Sequence, residues 1–193
     1  ITDALFPSMS RLDTRNRRED VEELLNKGLV FAGFFAIPGL FGGFVVGTRV
    51  LEIFGPAFGQ GWIVLVILIT ARLSSTFSSQ FKNTVNALDR PDLGFRINAG
   101  FILTNLVFNL SLIPVFGWSG AAVATSLSSI LMLVLSYYYA NTLLSGIVFP
   151  MREVGKEIAA SLVMIVPVYI VTQVMSARGV TTVGVVLSGA AVF

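Results

Sequence analysis

The residues able to do chemistry in this 193-residue sequence lie inside its oiliest stretches. Arg72 follows the apolar run Trp62-Ile63-Val64-Leu65-Val66-Ile67-Leu68-Ile69. It opens a polar series through Ser74, Ser75, Thr76, Ser78, Ser79, Gln80, Lys82, Asn83, Thr84 and Asn86. On a helix, neighbours on one face recur every three or four residues. Arg72, Thr76, Ser79, Asn83 and Asn86 then form one polar stripe, while Leu73, Phe77, Phe81, Val85 and Leu88 form an apolar face. Asn98, Asn105 and Asn109 repeat the pattern further on. A guanidinium matches phosphate in two-pronged geometry, and hydroxyls and amides suit sugar hydroxyls. The chemistry on offer is recognition of an anionic, hydroxyl-rich ligand. The structural alternative is that Arg72 is paired inside a helix bundle and that the hydroxyls and amides bond neighbouring helices.

The elements that must hold these residues are membrane helices. The sequence is 54% hydrophobic and 12% charged, against about 25% charged in a soluble domain. Its mean hydropathy is +0.82. About 20 apolar residues cross a hydrocarbon core of roughly 30 Å. Five stretches suffice: 28–50, 61–89, 94–113, 121–141 and 158–175. The fold expected is an all-α, polytopic transmembrane bundle of about five full spans, with partial helices at both ends. Ile1 to Met9 reads as the tail of an earlier helix, and Val183 to Phe193 as the start of a later one. The sequence therefore reads as roughly the C-terminal half of a longer membrane protein. Pro38 and Pro167 are expected to kink their spans. Gly39, Gly43 and Gly47 read either as a groove for close helix packing or, with Ile37-Pro38-Gly39, as a hinge.

A charge at the bilayer centre costs from about 2.5 kcal/mol upward, so such residues face a bundle interior or a water-filled cavity. That places Arg72 and its stripe against a cavity. The basic residues are asymmetric across the spans. Arg11, Arg15, Arg17, Arg18, Lys27, Lys82, Arg90, Arg96, Arg152 and Lys156 fall on one side; Arg49 and Arg178 fall on the other. By the positive-inside rule, loops 11–27, 82–96 and 145–157 are cytoplasmic in a multi-pass cell membrane protein. The net charge of +2 thus speaks of topology, not of nucleic acid.

The sequence has no cysteine and no histidine. This excludes disulfides, thiol nucleophiles, Cys/His zinc sites and serine–histidine triads. The acids read as loop residues (Asp13 to Glu23, Asp89 and Asp92, Glu153 and Glu157) and make no intramembrane catalytic pair. There is no phosphate-binding glycine loop and no metal-ligand spacing. No enzyme, cofactor or metal is expected.

Three stretches resemble polysaccharide flippases of the multidrug/oligosaccharidyl-lipid/polysaccharide exporter superfamily. They are Leu5-Phe6-Pro7-Ser8-Met9-Ser10-Arg11; Asn86-Ala87-Leu88-Asp89-Arg90-Pro91, where Asp89 replaces the usual glycine; and the run from Asn105 to Thr125. That run contains Ile113-Pro114-Val115-Phe116-Gly117-Trp118-Ser119-Gly120-Ala121-Ala122. The resemblance implies one lobe of a two-lobed transporter of multidrug-exporter layout. Residues 1–144 would be the C-terminal lobe, and residues 145–193 additional helices. It implies flipping of a lipid-linked oligosaccharide by alternating access, with the missing N-terminal lobe of the same chain as the packing partner. Arg72 would meet the lipid phosphate or diphosphate. Thr76, Ser79, Asn83, Asn86, Asn105 and Asn109 would line the sugar path. The rival readings are a cation-coupled small-molecule antiporter, which asks for an intramembrane acid, and a non-transporting scaffold for glycosyltransferases.

Overall fold

The computed structural model describes residues 18–144, 147 and 151–177. The first and last partial helices expected from the sequence lie outside these. Five long helices follow one another: α1 (Arg18–Glu52), α2 (Trp62–Ala87), α3 (Pro91–Phe116), α4 (Trp118–Leu144) and α5 (Met151–Ala177). A 3-10 turn, Pro56–Gly61, links α1 to α2. All five are long and apolar enough to cross a membrane. The chain is a multi-pass membrane protein. In lipid a helix satisfies its backbone polar groups internally, so near-continuous helix with minimal linkers is the expected outcome.

The charged approach to the first span is part of α1 itself. Helix begins at Arg18, close to the start that the acids Asp20, Glu22 and Glu23 mark in the sequence, and runs unbroken into the span; Pro38 sits within it without ending it. The link between α2 and α3 is likewise shorter than the expected 82–96 loop: only residues 88–90 separate the two helices. Pro91 occupies the first turn of α3, where its missing N–H costs nothing, and Asp92 adds the negative charge favoured there. Pro114 belongs to the last turn of α3, so the expected turn of residues 114–120 contracts to Gly117.

The packing order differs from the chain order. α5 lies on α1, α1 on α2, α2 on α4, and α4 on α3, so α4 is inserted between α2 and its sequence neighbour. The buried core sits toward the end where α1 starts and α2 finishes. Val21, Leu25 and Leu29 of α1 meet Phe77, Phe81 and Val85 of α2, with Leu93, Ala140 and Leu144 closing it. Of the predicted apolar face of α2, Phe77, Phe81 and Val85 are buried, and Leu73 and Leu88 pack at its edge. Lys27, Lys82, Arg90, Arg96, Arg152 and Lys156 all mark this same end, hereafter the basic end. Elsewhere large apolar side chains point outward, Phe95 and Val163 at 73% exposure each.

The α2–α4 interface is polar and close. Ser74, Ser78 and Thr84 of α2 and Ser126, Ser128, Ser129 and Ser136 of α4 are buried. Ser75 Oγ donates to Ser129 Oγ at 3.3 Å, and Ser78 Oγ lies 2.9 Å from Ser136 Oγ. Without a hydrophobic force between helices in lipid, small residues that let backbones approach, plus interhelical hydrogen bonds, hold such contacts.

Candidate functional site

α1 and α2 splay apart at mid-length. The groove between them has a volume of about 470 Å3; Arg72, Thr76 and Gln80 of α2 line it opposite Phe31, Phe35 and Gly39 of α1. Arg72 lies ten residues into α2, about 15 Å along a helix of about 39 Å at 1.5 Å per residue. It is exposed, and its guanidinium makes no hydrogen bond or ion pair among the described residues. Thr76 Oγ1 spends its proton on the carbonyl of Arg72, at 2.8 Å, and keeps its lone pairs for a donor. Gln80, one turn further and 97% buried, completes the polar edge. The facing wall is apolar, with the Phe31 and Phe35 rings edge to face at 5.3 Å.

α1 leaves this space because of its glycines. A side chain on Gly43 would run into Ile69, and one on Gly47 would press on Leu65; one on Gly39 would meet nothing within 4 Å. Gly43 and Gly47 are packing glycines, as the close-approach reading requires. Gly39 instead opens the groove beside Arg72.

The remaining sequence candidates are spread more widely. Ser79 and Asn83 are half-buried further along α2. Asn86 sits at the basic end with its side-chain amide laid on Gly94 of α3, where a larger residue would collide with it. Asn109 Nδ2 donates to Asn105 Oδ1 at 2.9 Å and to the Asn105 carbonyl at 2.7 Å, tying the pair to each other along α3. Asn98 receives a hydrogen bond from Lys82 at 3.3 Å. The structure therefore brings Arg72 and Thr76 together in one groove, with Gln80, and leaves Ser79, Asn83, Asn86, Asn105 and Asn109 outside its lining. Gln80 belongs to the polar series of the sequence but not to its stripe, because its angular position falls between the stripe and the apolar face.

Two family-like stretches acquire physical reasons. Asp89 has φ +56°, the left-handed region where a glycine is unstrained and Asp or Asn is the next best choice. The Arg90 guanidinium donates to both carboxylate oxygens of Asp92, at 3.0 and 3.1 Å. That hydrogen bond, and then the charge, hold it above its ordinary range. In the second stretch Gly117 carries φ +58°, and Gly120 passes so close to the Leu112 carbonyl that a Cβ would collide with backbone. One glycine makes the turn and the other seats α4 on α3.

No family-level profile matches the chain. Among curated proteins it is 42% identical over 139 residues to the probable flippase AglR of Haloferax volcanii, covering 70% of this chain and 29% of that protein. It is 29% identical over 165 residues to the probable low-salt glycan biosynthesis flippase Agl15 of the same organism, covering 85% and 35%. The chain is related to the polysaccharide flippases. A capsular polysaccharide biosynthesis protein of Staphylococcus aureus, CapF, is 28% identical over 145 residues, which are 72% of this chain and 35% of CapF. The chain thus spans about a third of the length of these flippase relatives. Its fold is that of part of the lipid II flippase MurJ in an inward closed conformation. The TM-score is 0.73 at 18% identity, with all of this chain and 42% of that one covered. A partial transporter lobe accounts for both observations.

Proposed function

We propose that the protein containing this chain flips a lipid-linked oligosaccharide across the cell membrane by alternating access. It is a transporter and not an enzyme. The observation that carries this reading is the Arg72 groove: a cation at mid-helix with no partner among the described residues, a hydroxyl and an amide beside it, and an apolar wall opposite. That combination suits a phosphate or diphosphate joined to a hydrocarbon. The glycan-flippase names of AglR and Agl15 point the same way.

In this reading Arg72 and Thr76 meet the lipid phosphate. Ser79, Asn83 and Asn86 continue the path toward the basic end, where sugars enter from the cytoplasm, and Asn105 and Asn109 bound it from α3. Residues 1–144 are one lobe, packed against a second lobe of the same chain, and residues 145–193 are further helices. The glycosyltransferases that build the glycan are candidate neighbours in the membrane.

The test is flipping of a labelled lipid-linked oligosaccharide in proteoliposomes containing the full-length protein. Losing a charge-assisted hydrogen bond is worth about 1.5–3 kcal/mol, so Arg72→Ala should slow flipping roughly ten- to a hundredfold while insertion is unchanged. Arg72→Lys, a point charge without the fork, should fall between. Flipping at the wild-type rate by Arg72→Ala would remove Arg72 from the path. Absence of flipping by the wild-type protein would leave the scaffold reading.

A further inference from the structure

The sequence places Glu157 in a loop; the structure places it inside α5, two turns from its start, facing α1. Its Oε2 is buried and has no hydrogen-bond partner among the described residues. The carboxyl occupies the notch left by Gly33, where any Cβ would collide with it, with the Ile37 side chain closing the other side. Oε2 thus lies against helix backbone and aliphatic carbon.

Among the described residues, the charged and donating groups nearest it are either committed elsewhere or lie on another side of the helix. Lys156, the adjacent cation on α5, donates to both carboxylate oxygens of Glu153, at 2.7 and 2.9 Å. Lys27 of α1 pairs with Glu23 at 2.6 Å. Ser161 Oγ gives its proton to the Glu157 backbone carbonyl at 2.7 Å. Arg152, five residues back, lies about 140° around the helix at 100° per residue. Asn26, two turns earlier on α1, holds the other buried acceptor without a partner, but an amide takes up no proton near neutrality.

With one oxygen buried and neither counter-charge nor donor on it among the described residues, the ionised carboxylate is costly, and taking up a proton relieves that cost. A calcium or magnesium ion would need six or more oxygens here; a proton needs one. We propose that Glu157 is a proton-binding site, held as a neutral acid in the Gly33 notch, whose ionisation loosens the contact between α5 and α1. The sign follows directly: the packed form binds the proton, so the contact is firm at low pH and weakens as pH rises through the titration. Glu157 itself borders a cavity of about 450 Å3, together with Lys156, Phe35, Gly39, Ser161 and Met164, and this space receives the carboxylate once it is ionised. Phe35 and Gly39 also line the Arg72 groove, so the proton bears on the helix that forms one wall of that groove. This inference stands apart from the nature of the cargo.

Infrared titration of the full-length protein in lipid bilayers tests it. A free glutamate, with a pKa of about 4.3, is ionised at about pH 7. The wild-type protein should show a neutral-acid carbonyl band at that pH, lost on raising the pH and missing from Glu157→Gln. Identical wild-type and Glu157→Gln spectra would overturn the assignment. If Glu157→Gln fails to accumulate, Glu157→Asp should shift or abolish the band, and an unchanged band has the same force. Spin labels at Phe44 and Val166, exposed on α1 and α5, read the second half of the proposal. The separation should grow with pH in the wild-type background and stay at its acidic value in Glu157→Gln. A pH response that survives Glu157→Gln would sink the mechanical link.

Discussion

Ser78 of α2 and Ser136 of α4 place their hydroxyl oxygens 2.9 Å apart in a fully buried contact. Ser136 Oγ gives its own proton to the Leu133 carbonyl at 3.0 Å, so Ser78 is the donor between the two. Interhelical polar pairs in membranes average about 0.6 kcal/mol and reach about 1.7. Ser78→Ala should destabilise the bundle within that range. Ser78→Leu, which overfills a close contact, should cost more, about 1–3 kcal/mol. Denaturant titration of the full-length protein in mixed micelles would check both, and equal effects would contradict the geometry.

Gly117 and Gly120 are three residues apart and should respond differently to the same change. Gly117 combines φ +58° with ψ −138°, a region occupied almost only by glycine. Any side chain there should cost about 1–3 kcal/mol with little dependence on its size. Gly120 is helical and limited by the Leu112 carbonyl, so the cost should climb from Ala to Val to Leu as α4 is pushed off α3. A size series at each position, read by thermal unfolding, distinguishes strain from collision.

Asp89→Gly should be neutral or slightly stabilising, because φ +56° suits glycine better than aspartate. Asp89→Val should cost about 1–2 kcal/mol, since a β-branched residue is disfavoured in the left-handed region. Equal stability of the two variants would show that the turn relaxes.

Gly39→Leu fills the groove beside Arg72 without meeting anything within 4 Å at its Cβ. Stability should stay within about 0.5 kcal/mol of the parent, while flipping falls as severely as in Arg72→Ala. Gly43→Leu should do the reverse at first: it strikes Ile69 and loosens α1 on α2.

Composition and period were enough to read five spans, the buried faces of Phe77, Phe81 and Val85, and the glycine contacts of α1. They failed where a rule about local chemistry competed with packing. Residues 152–157 read as a loop because four of six are charged, yet α5 carries them as helix. Lys156 and Glu153 satisfy one another at the surface and only Glu157 turns inward. At the start of α1 the acids Asp20 to Glu23 do mark a helix; what they leave open is that it runs unbroken into the span. The asparagines of α3 share a face, as their spacing says, but spacing cannot reveal that Asn109 spends its donor on Asn105. Nor can it show that α4 makes the main contact with α2 and α3 touches α2 only near the basic end, since this is a matter of which surfaces fit.

The buried hydroxyls of α2 and α4 are mostly bonded along their own helices. Ser74 gives its proton to Thr70, Thr84 to Gln80, Ser128 to Ala124 and Ser129 to Thr125, each through a backbone carbonyl. Displacing one helix along the other over this stretch therefore strands few polar groups beyond the Ser75–Ser129 and Ser78–Ser136 pairs, and the bulky contact it meets is Phe81 on Tyr137 toward the basic end. Such a surface behaves as a bearing more than a rivet: it keeps two helices in contact while permitting axial slip, which a tightly interlocked leucine seam would resist.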